Sequence, residues 1–354
     1  MKSLFKELSK RFKEKSLKFK LLSSLVLVLY LFVICISTLS IDVFKKEDYY
    51  LLTPGEANLV GRVIDVDSIH SPGNVYTLSV FEFKKVSVLQ YWLSKNNHSN
   101  YIGVNYQSHL TKEEELIQGT IMKNTSITNA IIVAYSEASK VNPNVSISYK
   151  YVGGIVHTVS EKADGSIKQK DIITKVNGVA ITEENINQLF SDARVNDSLI
   201  LTVKRDNKFI DVTTKYYIDD DGEKYMGINF YSYYEIIEAT PSYKVYESST
   251  TGPSGGLMQT IAIYNSLIAE DITKGKKIMG TGTIEINGSV GVIGGVEQKM
   301  IAANIYKADY VFVPKDNYQD ALKQYNEIKN PSYPIPIAVD KFSDAIKFLN
   351  GIGK

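Results

Sequence analysis

The chain contains one cysteine and four histidines in 354 residues. A single cysteine excludes an intramolecular disulfide framework and a cysteine-rich zinc site. Four scattered histidines leave little for a metal centre, and neither a metal nor a cofactor is expected. Proline is scarce, at nine residues, and no long Pro/Gly/Ser linker or obvious repeat interrupts the chain after residue 42. The sequence has no G-x-x-x-x-G-K-[ST]; Gly275-Lys276-Lys277 lacks the upstream glycine and the following hydroxyl residue that such a phosphate cradle requires. Residues 21–41 carry no charge at all. What is present is 44 % hydrophobic and 22 % charged, the composition of a globular protein with buried cores.

The formal net charge of +1 hides a division along the chain. Residues 1–20 hold eight basic and two acidic residues, a net of +6, and residues 42–354 hold 32 basic and 37 acidic residues, a net of −5. The uncharged run between them would form a helix of about 31 Å, matching a hydrocarbon core of about 30 Å. Basic flanks stay on the cytoplasmic side, so residues 1–20 are expected inside, 21–41 across the membrane and the remainder outside. A cleaved signal peptide fits less well: the run exceeds the usual length and no A-x-A-like site follows. Beside a membrane span, the basic tail is expected to meet anionic lipid. The net negative outer part argues against DNA or RNA as a partner. Cys35 falls within the apolar run, where a plain apolar role is expected.

Outside the span, segments 59–66 and 75–89 are rich in β-branched and aromatic residues and read as a strand pair turning at Ser71-Pro72-Gly73-Asn74. Lys112–Lys140 has helical spacing at Ile127, Ile131, Ala134 and Ala138. Residues 146–216 read as a β-rich unit. Its expected order is strand 146–152, Gly153-Gly154, strand 155–159, a turn at Asp164-Gly165, strand 172–176, an Asn177-Gly178 hairpin turn, a helix over 183–192 and strand 198–205. Asp219-Asp220-Asp221 reads as a solvated turn. Strands near 225–237, an amphipathic helix over 257–268, a Gly-rich strand region at 280–295, a helix over 297–307, strand 309–314 and a helix over 341–349 complete the expected order.

Gly252-Pro253-Ser254-Gly255-Gly256 is the conspicuous site. Backbone N–H groups at the start of a helix favour developing negative charge, as an acyl-transfer nucleophile with an oxyanion hole requires. Taken alone, the pentapeptide also reads as a turn with a serine cap. It matches G-x-S-x-G, but a Ser…Asp…His order is impossible because no histidine follows His157. A His…Asp…Ser order would need His70, His98, His109 or His157, which read as surface or structural residues. A base for Ser254 should therefore be a lysine kept neutral by burial. Lys299, near the start of its helix with Val296, Met300 and Ile301 around it, is the best placed; an ordinary exposed helix lysine is the competing reading.

The stretch 250–314 resembles the proteolytic domain of Lon proteases, which carries D-G-P-S-A-G, then T-G-E-I…G, then P-I-G-G-L-K-E-K. The corresponding segments here are TGPSGG, TGTIEING (281–288) and VIGGVEQKMIAAN (292–304), with 45 residues between Ser254 and Lys299. The resemblance implies Ser254 as nucleophile, Lys299 as general base and then acid, and Thr281 as the hydroxyl beside the lysine. Backbone N–H groups near Gly252, Pro253 and Gly255 would hold the oxyanion. Thr251 and Thr283 stand where the family has Asp and Glu. The β-rich unit looks like a PDZ domain, with Val152, Gly153, Gly154 and Ile155 at the carboxylate-binding loop. A PDZ domain takes up an extended peptide as an added strand. Span, PDZ and Lon-type domain in that order resemble the membrane-anchored PDZ–Lon peptidases of Gram-positive bacteria.

These readings give an α+β fold. Residues 1–20 form a basic tail, 21–41 a membrane helix and 145–216 the PDZ domain. Residues 217–354 are expected to form the Lon-type proteolytic domain, with 45–144 as its N-terminal part and the PDZ inserted between them, a plain linear order being the alternative. The implied activity is an ATP-independent, extracytoplasmic serine endopeptidase. It would act on exported peptides, such as signalling peptides, or on unstructured segments of membrane proteins. A non-catalytic PDZ adaptor with a degenerate protease fold and a general quality-control protease are the competing readings. No oligomeric state follows from the sequence.

Overall fold

A computed structural model describes residues 17–40, 45–46, 49–68, 70–95, 97, 99–104, 110–163, 166–191, 197–218, 222–328 and 332–352. Residues 1–16 of the basic tail, His98, His109, the Asp164-Gly165 turn and the run Asp219-Asp220-Asp221 lie outside the described residues. The contacts divide the chain into two units, Met1–Thr53 with Glu82–Tyr106, and Pro54–Phe81 with Gln107–Lys354.

In the first unit, helix α1 (Leu17–Ser40) presents its apolar side chains outward, Leu25, Leu29 and Phe32 among them. It is long and apolar enough to cross a membrane. Strand β1 (Lys45–Lys46) precedes β2 (Tyr49–Leu59), which continues into the second unit.

In the second unit β2 is followed by a 3₁₀ turn at Val60–Arg62, then β3 (Ile64–Val66) and β4 (Val75–Phe83), whose last residues return to the first unit. There β5 (Val86–Ser87) pairs with β1, α2 (Val88–Ser94) follows with a Ser87/Gln90 capping box, and β6 (Tyr101–Val104) pairs with Tyr49–Leu52.

The rest belongs to the second unit. Helix α3 (Lys112–Ala138) starts at a Thr111/Glu114 capping box followed by Glu113, Glu114 and Glu115, the charge a helix N-terminus favours. Its apolar face, including Ile127, Ile131, Ala134 and Ala138, is buried as the spacing predicts. Then come β7 (Ser146–Val159), β8 (Ile172–Val176), β9 (Val179–Ala180), α4 (Ile186–Ser191), β10 (Ser198–Arg205), β11 (Lys208–Lys215), β12 (Tyr217–Ile218), β13 (Lys224–Tyr225), β14 (Ile228–Thr240) and β15 (Tyr243–Val245). Helix α5 (Gly256–Leu267), β16 (Ile278–Gly280), α6 (Val296–Ile305), β17 (Tyr310–Pro314), α7 (Tyr318–Ile328), β18 (Pro336–Val339) and α8 (Phe342–Gly351) complete the chain.

One sheet of the second unit runs β18-β17-β16-β4-β2. Strands β4, β16, β17 and β18 pair in parallel, so helices must cover them. Helix α5 does so with every residue buried. Leu257, Met258 and Ile261 share a core with Ile127, Ala130 and Ile131 of α3. Each such side chain contributes about 1.5–3 kcal/mol on burial.

The second sheet runs β11-β10-β8-β7-β14, with β9 on β8. The Asn177-Gly178 turn forms as predicted, both residues having positive φ, and pairs Val176 with Val179. Asp171, 1 % exposed, receives Arg205 through two hydrogen bonds of 2.7 and 2.6 Å, which neutralises a buried charge inside this sheet.

Four expectations need correction. Segments 59–66 and 75–89 do not pair with each other: β3 pairs with β15, and β4 lies between β2 and β16. Strand β7 does not break at Gly153-Gly154 but runs on to Val159. The second sheet does not end at residue 216, because β14 pairs with β7 from Ile228 to Thr240. In the Gly-rich region 280–295 only Gly280, the last residue of β16, belongs to a strand, and the following residues are irregular, with a turn and an isolated bridge between Ser289 and Lys341.

Candidate active site

Ser254 sits in the turn that starts α5. Gly252 has φ +84°, a conformation that glycine adopts without strain, and its N–H donates to Gly119 O of α3 at 3.0 Å. The Pro253 carbonyl accepts from Ser126 Oγ, also on α3, at 2.9 Å. Gly256 packs so closely that a Cβ there would lie 2.5 Å from Ser126 Oγ and 2.7 Å from Ile284 Cγ2. The glycines thus let the loop lie flat against α3 while the serine remains accessible.

The Ser254 carbonyl is held twice, by Gly282 N–H at 2.8 Å and by Thr281 Oγ1 at 3.0 Å. Thr281 is fully buried and in turn accepts from Lys299 Nζ at 2.9 Å. Lys299 lies in the first turn of α6, its backbone N–H bonded to Gly295 O, and is 3 % exposed. Burial penalises its charged form and lowers its pKa from 10.5 to about 7. Ser254, Thr281 and Lys299, from three separate segments, therefore meet in a chain of two hydrogen bonds. Ser254 Oγ makes no hydrogen bond among the described residues. A direct bond from it to Lys299 Nζ is not formed in this state.

The backbone donors around the serine are unequal. Gly252 N–H is engaged by Gly119 O, and Pro253 has none. The N–H groups of Ser254 and Gly255 have no partner among the described residues. The candidate oxyanion donors are thus Ser254 and Gly255, rather than Gly252 or Pro253. Thr283, at the family's glutamate position, receives Gly291 N–H on its hydroxyl at 3.1 Å and so ties its loop together. Thr251 is exposed and packs beside Gly119.

The PDZ-loop candidates are placed differently. Val152, Gly153, Gly154 and Ile155 lie inside β7, not in a loop. Gly153, Gly154 and Ile155 pair with Tyr233, Ser232 and Tyr231 of β14, while Gly154 and Ile155 pair with Ile173 and Ile172 of β8 on the other side. A strand laddered on both sides has few backbone groups left for a carboxylate. His157 on the same strand stacks on Tyr231, with centroids 4.5 Å apart, and bonds Thr158 Oγ1 through Nδ1 at 2.8 Å. Burial lowers its pKa.

Sequence reasoning missed the α3 residues Gly119, Ser126 and Asn129. Asn129 donates from Nδ2 to Ile284 O at 3.0 Å, so one helix face holds both the serine loop and the segment after Thr281. The available signal was polar residues on an otherwise apolar, buried helix face.

A serine beside two open N–H donors, with a hydroxyl linking its backbone to a buried lysine, is equipped for acyl transfer by serine chemistry. Comparison with known proteins gives the class a family. Residues 217–347 match the model of the Lon protease (S16) C-terminal proteolytic domain, and the chain carries a Lon-type serine-peptidase domain. Lon protease of Campylobacter jejuni is 38 % identical over 99 residues, covering 27 % of this chain and 12 % of that protein. Lon protease of Dictyoglomus thermophilum is 28 % identical over 211 residues, covering 58 % of this chain and 24 % of its own length. The chain thus spans only about a tenth to a quarter of these curated relatives. Among solved structures, the PDZ domain of the SdrC-like protein from Listeria monocytogenes is similar at 23 % identity, covering 23 % of this chain and 90 % of that one, with a TM-score of 0.21.

Proposed function

We propose that this protein is a membrane-anchored, extracytoplasmic serine endopeptidase that cuts exported peptides or unstructured chain segments without ATP. The observation that carries the proposal is Lys299, 3 % exposed with a pKa near 7, joined through Thr281 to the backbone of Ser254. A lysine in that state is neutral in a useful fraction of molecules near pH 7 and can act as a base. Catalytic hydrogen bonds commonly tighten only when substrate is bound.

In the reaction, neutral Lys299 takes the proton of Ser254 Oγ as the oxygen attacks the substrate carbonyl. The N–H groups of Ser254 and Gly255 receive the oxyanion. The protonated lysine gives its proton to the departing amine, leaving an acyl-enzyme. Water, deprotonated by the same lysine, then releases the acid and restores Ser254.

In this reading the proteolytic domain is discontinuous, with the PDZ-like unit inserted. The support is that β2 and β4 share a sheet with β16, β17 and β18, whereas β7 to β11 belong to another sheet. The apolar helix α1 would anchor the chain, and the charge division would place the basic tail inside. Recruitment of substrate by strand addition at Val152–Ile155 is disfavoured, because β14 already occupies that edge.

The test uses the full chain in detergent micelles with a mixture of unstructured peptides, read by mass spectrometry. Cleavage by the wild-type protein, lost in Ser254→Ala and Lys299→Met, is the expected result. Identical peptide profiles for all three proteins, with peptide still bound, would replace the peptidase by an adaptor.

A further inference from the structure

Beside the serine loop lies a cavity of about 430 Å³, in the size range of ligand pockets. Pro253, next to the nucleophile, forms part of its wall, as do Met122 of α3, Ile284, Phe230 and Tyr231 of β14 and, from the PDZ-like unit, Ile186 and Asn187. Among the described residues, Glu285 is the only acidic or basic side chain that lines it. No counter-ion or hydrogen bond to its carboxylate exists among the described residues. Its backbone is fixed by a turn, with Glu285 N–H bonded to Ser289 O at 2.9 Å and Gly288 N–H to Glu285 O at 2.8 Å. Glu285 is an exposed residue, yet desolvation by the surrounding protein raises its pKa, and its charge adds to the burial that raises the pKa of Tyr231. Asn129 also lines the cavity; it is 6 % exposed, and its Oδ1 is a buried acceptor with no partner among the described residues.

We propose that this cavity is a substrate side-chain pocket that selects lysine or arginine, with Glu285 as the selecting group. The inference rests on the peptidase reading, since it is the serine beside Pro253 that gives the cavity its substrate. The apolar part of the lining, Met122, Phe230 and Ile284, suits the aliphatic stem of a basic residue, and the Glu285 carboxylate suits its cationic head. Asn129 Oδ1 supplies an acceptor for an N–H of the same segment. A carboxylate with no counter-ion among the described residues gains from a cation and disfavours an acidic side chain. The PDZ-like unit then serves the active site as one wall of the pocket.

The test compares fluorogenic peptides identical except at one position beside the cut, occupied by Lys, Arg, norleucine or Glu. With the full chain in micelles, kcat/KM for Lys and Arg should exceed that for norleucine by about ten-fold, and Glu should be poorest. Glu285→Gln should bring the Lys/norleucine ratio near one, and Glu285→Lys should move the preference toward Glu. Binding of the same peptides to Ser254→Ala, read by fluorescence anisotropy, should follow the same order. Cleavage indifferent to the varied position, or a preference that survives Glu285→Gln, overturns the pocket assignment and leaves the peptidase standing. Glu285-dependent binding of basic peptides without cleavage by the wild type retains the pocket and overturns the peptidase. Absence of both overturns both.

Discussion

Two glycine-rich segments, 252–256 and 152–155, were each read from the sequence as places where backbone N–H groups could meet a ligand. The structure treats them oppositely. At Gly252 the chain turns with φ +84°, a Cβ there would touch nothing among the described residues, and the N–H groups two and three residues on have no partner among them. At Gly153 a Cβ would run into the Ile173 carbonyl oxygen, and both edges of the strand are laddered. Glycine admits both a turn and a close approach of two backbones. The first opens a site, and the second closes one. The motif alone does not tell which, because the deciding neighbour lies far away in sequence.

The largest expected effects separate the two segments by chemistry. Ser254→Ala should remove cleavage by about a thousand-fold or more, and Lys299→Met, which keeps the length and apolar contacts of the side chain, should do the same. Far-UV circular dichroism should show both variants folded. A substitution confined to 152–155 that removed cleavage as completely while leaving folding and peptide affinity intact would break the contrast. Next in size is Thr281→Val. It deletes the hydroxyl that accepts from Lys299 and donates to the Ser254 carbonyl, leaving the Lys299 amine without its buried acceptor. A fall in kcat of about ten- to a hundred-fold with a smaller change in KM is expected, and Thr281→Ser should recover most of it. Equal losses in both variants would count against the hydroxyl relay.

The lysine also fixes the pH dependence. The base must be neutral, so kcat/KM should rise about ten-fold per pH unit below the Lys299 pKa of about 7 and level off above it. Stability carries the same group with a different window. The unfolded chain keeps the lysine proton up to its ordinary 10.5, whereas the folded chain gives it up near 7. Between those values unfolding takes up a proton. This group's contribution to stability therefore increases as pH climbs from about 7 to 10.5 and is flat below 7. Lys299→Met should abolish that slope in denaturation measured across the range. A slope that persists in the variant would show that Lys299 does not ionise as its burial demands.

Much of the fold was legible because it is local. Lys112–Lys140 anticipated α3 to within two residues; 172–176 and 198–205 coincide with β8 and β10, and Asn177-Gly178 formed its turn. What periodicity does not record is the partner. Segment 59–66 reads as half of a strand pair with the next apolar run, yet its Ile64–Val66 pairs with Tyr243–Val245, about half the chain away. Helix α7 and strand β18 were not anticipated: α7 mixes polar and charged residues with few aliphatics, and β18 is a short Pro-flanked strand whose burial comes from β17. At the candidate site, Ser254, Lys299 and Thr281 were proposed through three ordered motifs. Asn129 and Glu285 were not, because a helix polar residue and a loop acid acquire meaning only when the fold places them around one cavity.

The smallest effects sharpen the contrast most directly. Gly252→Ala meets no neighbour, so its cost is the left-handed backbone alone, about 1–2 kcal/mol. Gly153→Ala adds a clash with a backbone oxygen that cannot rotate away, so its loss of stability should be larger by about 1–3 kcal/mol. Activity per folded molecule should rank the other way. The turn at 252 aims the open N–H groups of Ser254 and Gly255, and a shift of even part of an ångström there weakens oxyanion binding. The ladder at 153 holds β14 on β7 and reaches the reaction only through the cavity wall at Phe230 and Tyr231. Denaturant titration paired with kinetics corrected for the folded fraction resolves the two orders. If Gly153→Ala were the more damaging to corrected kcat, the paired strand would be part of the reacting centre and the division between an open and a closed glycine segment would fail.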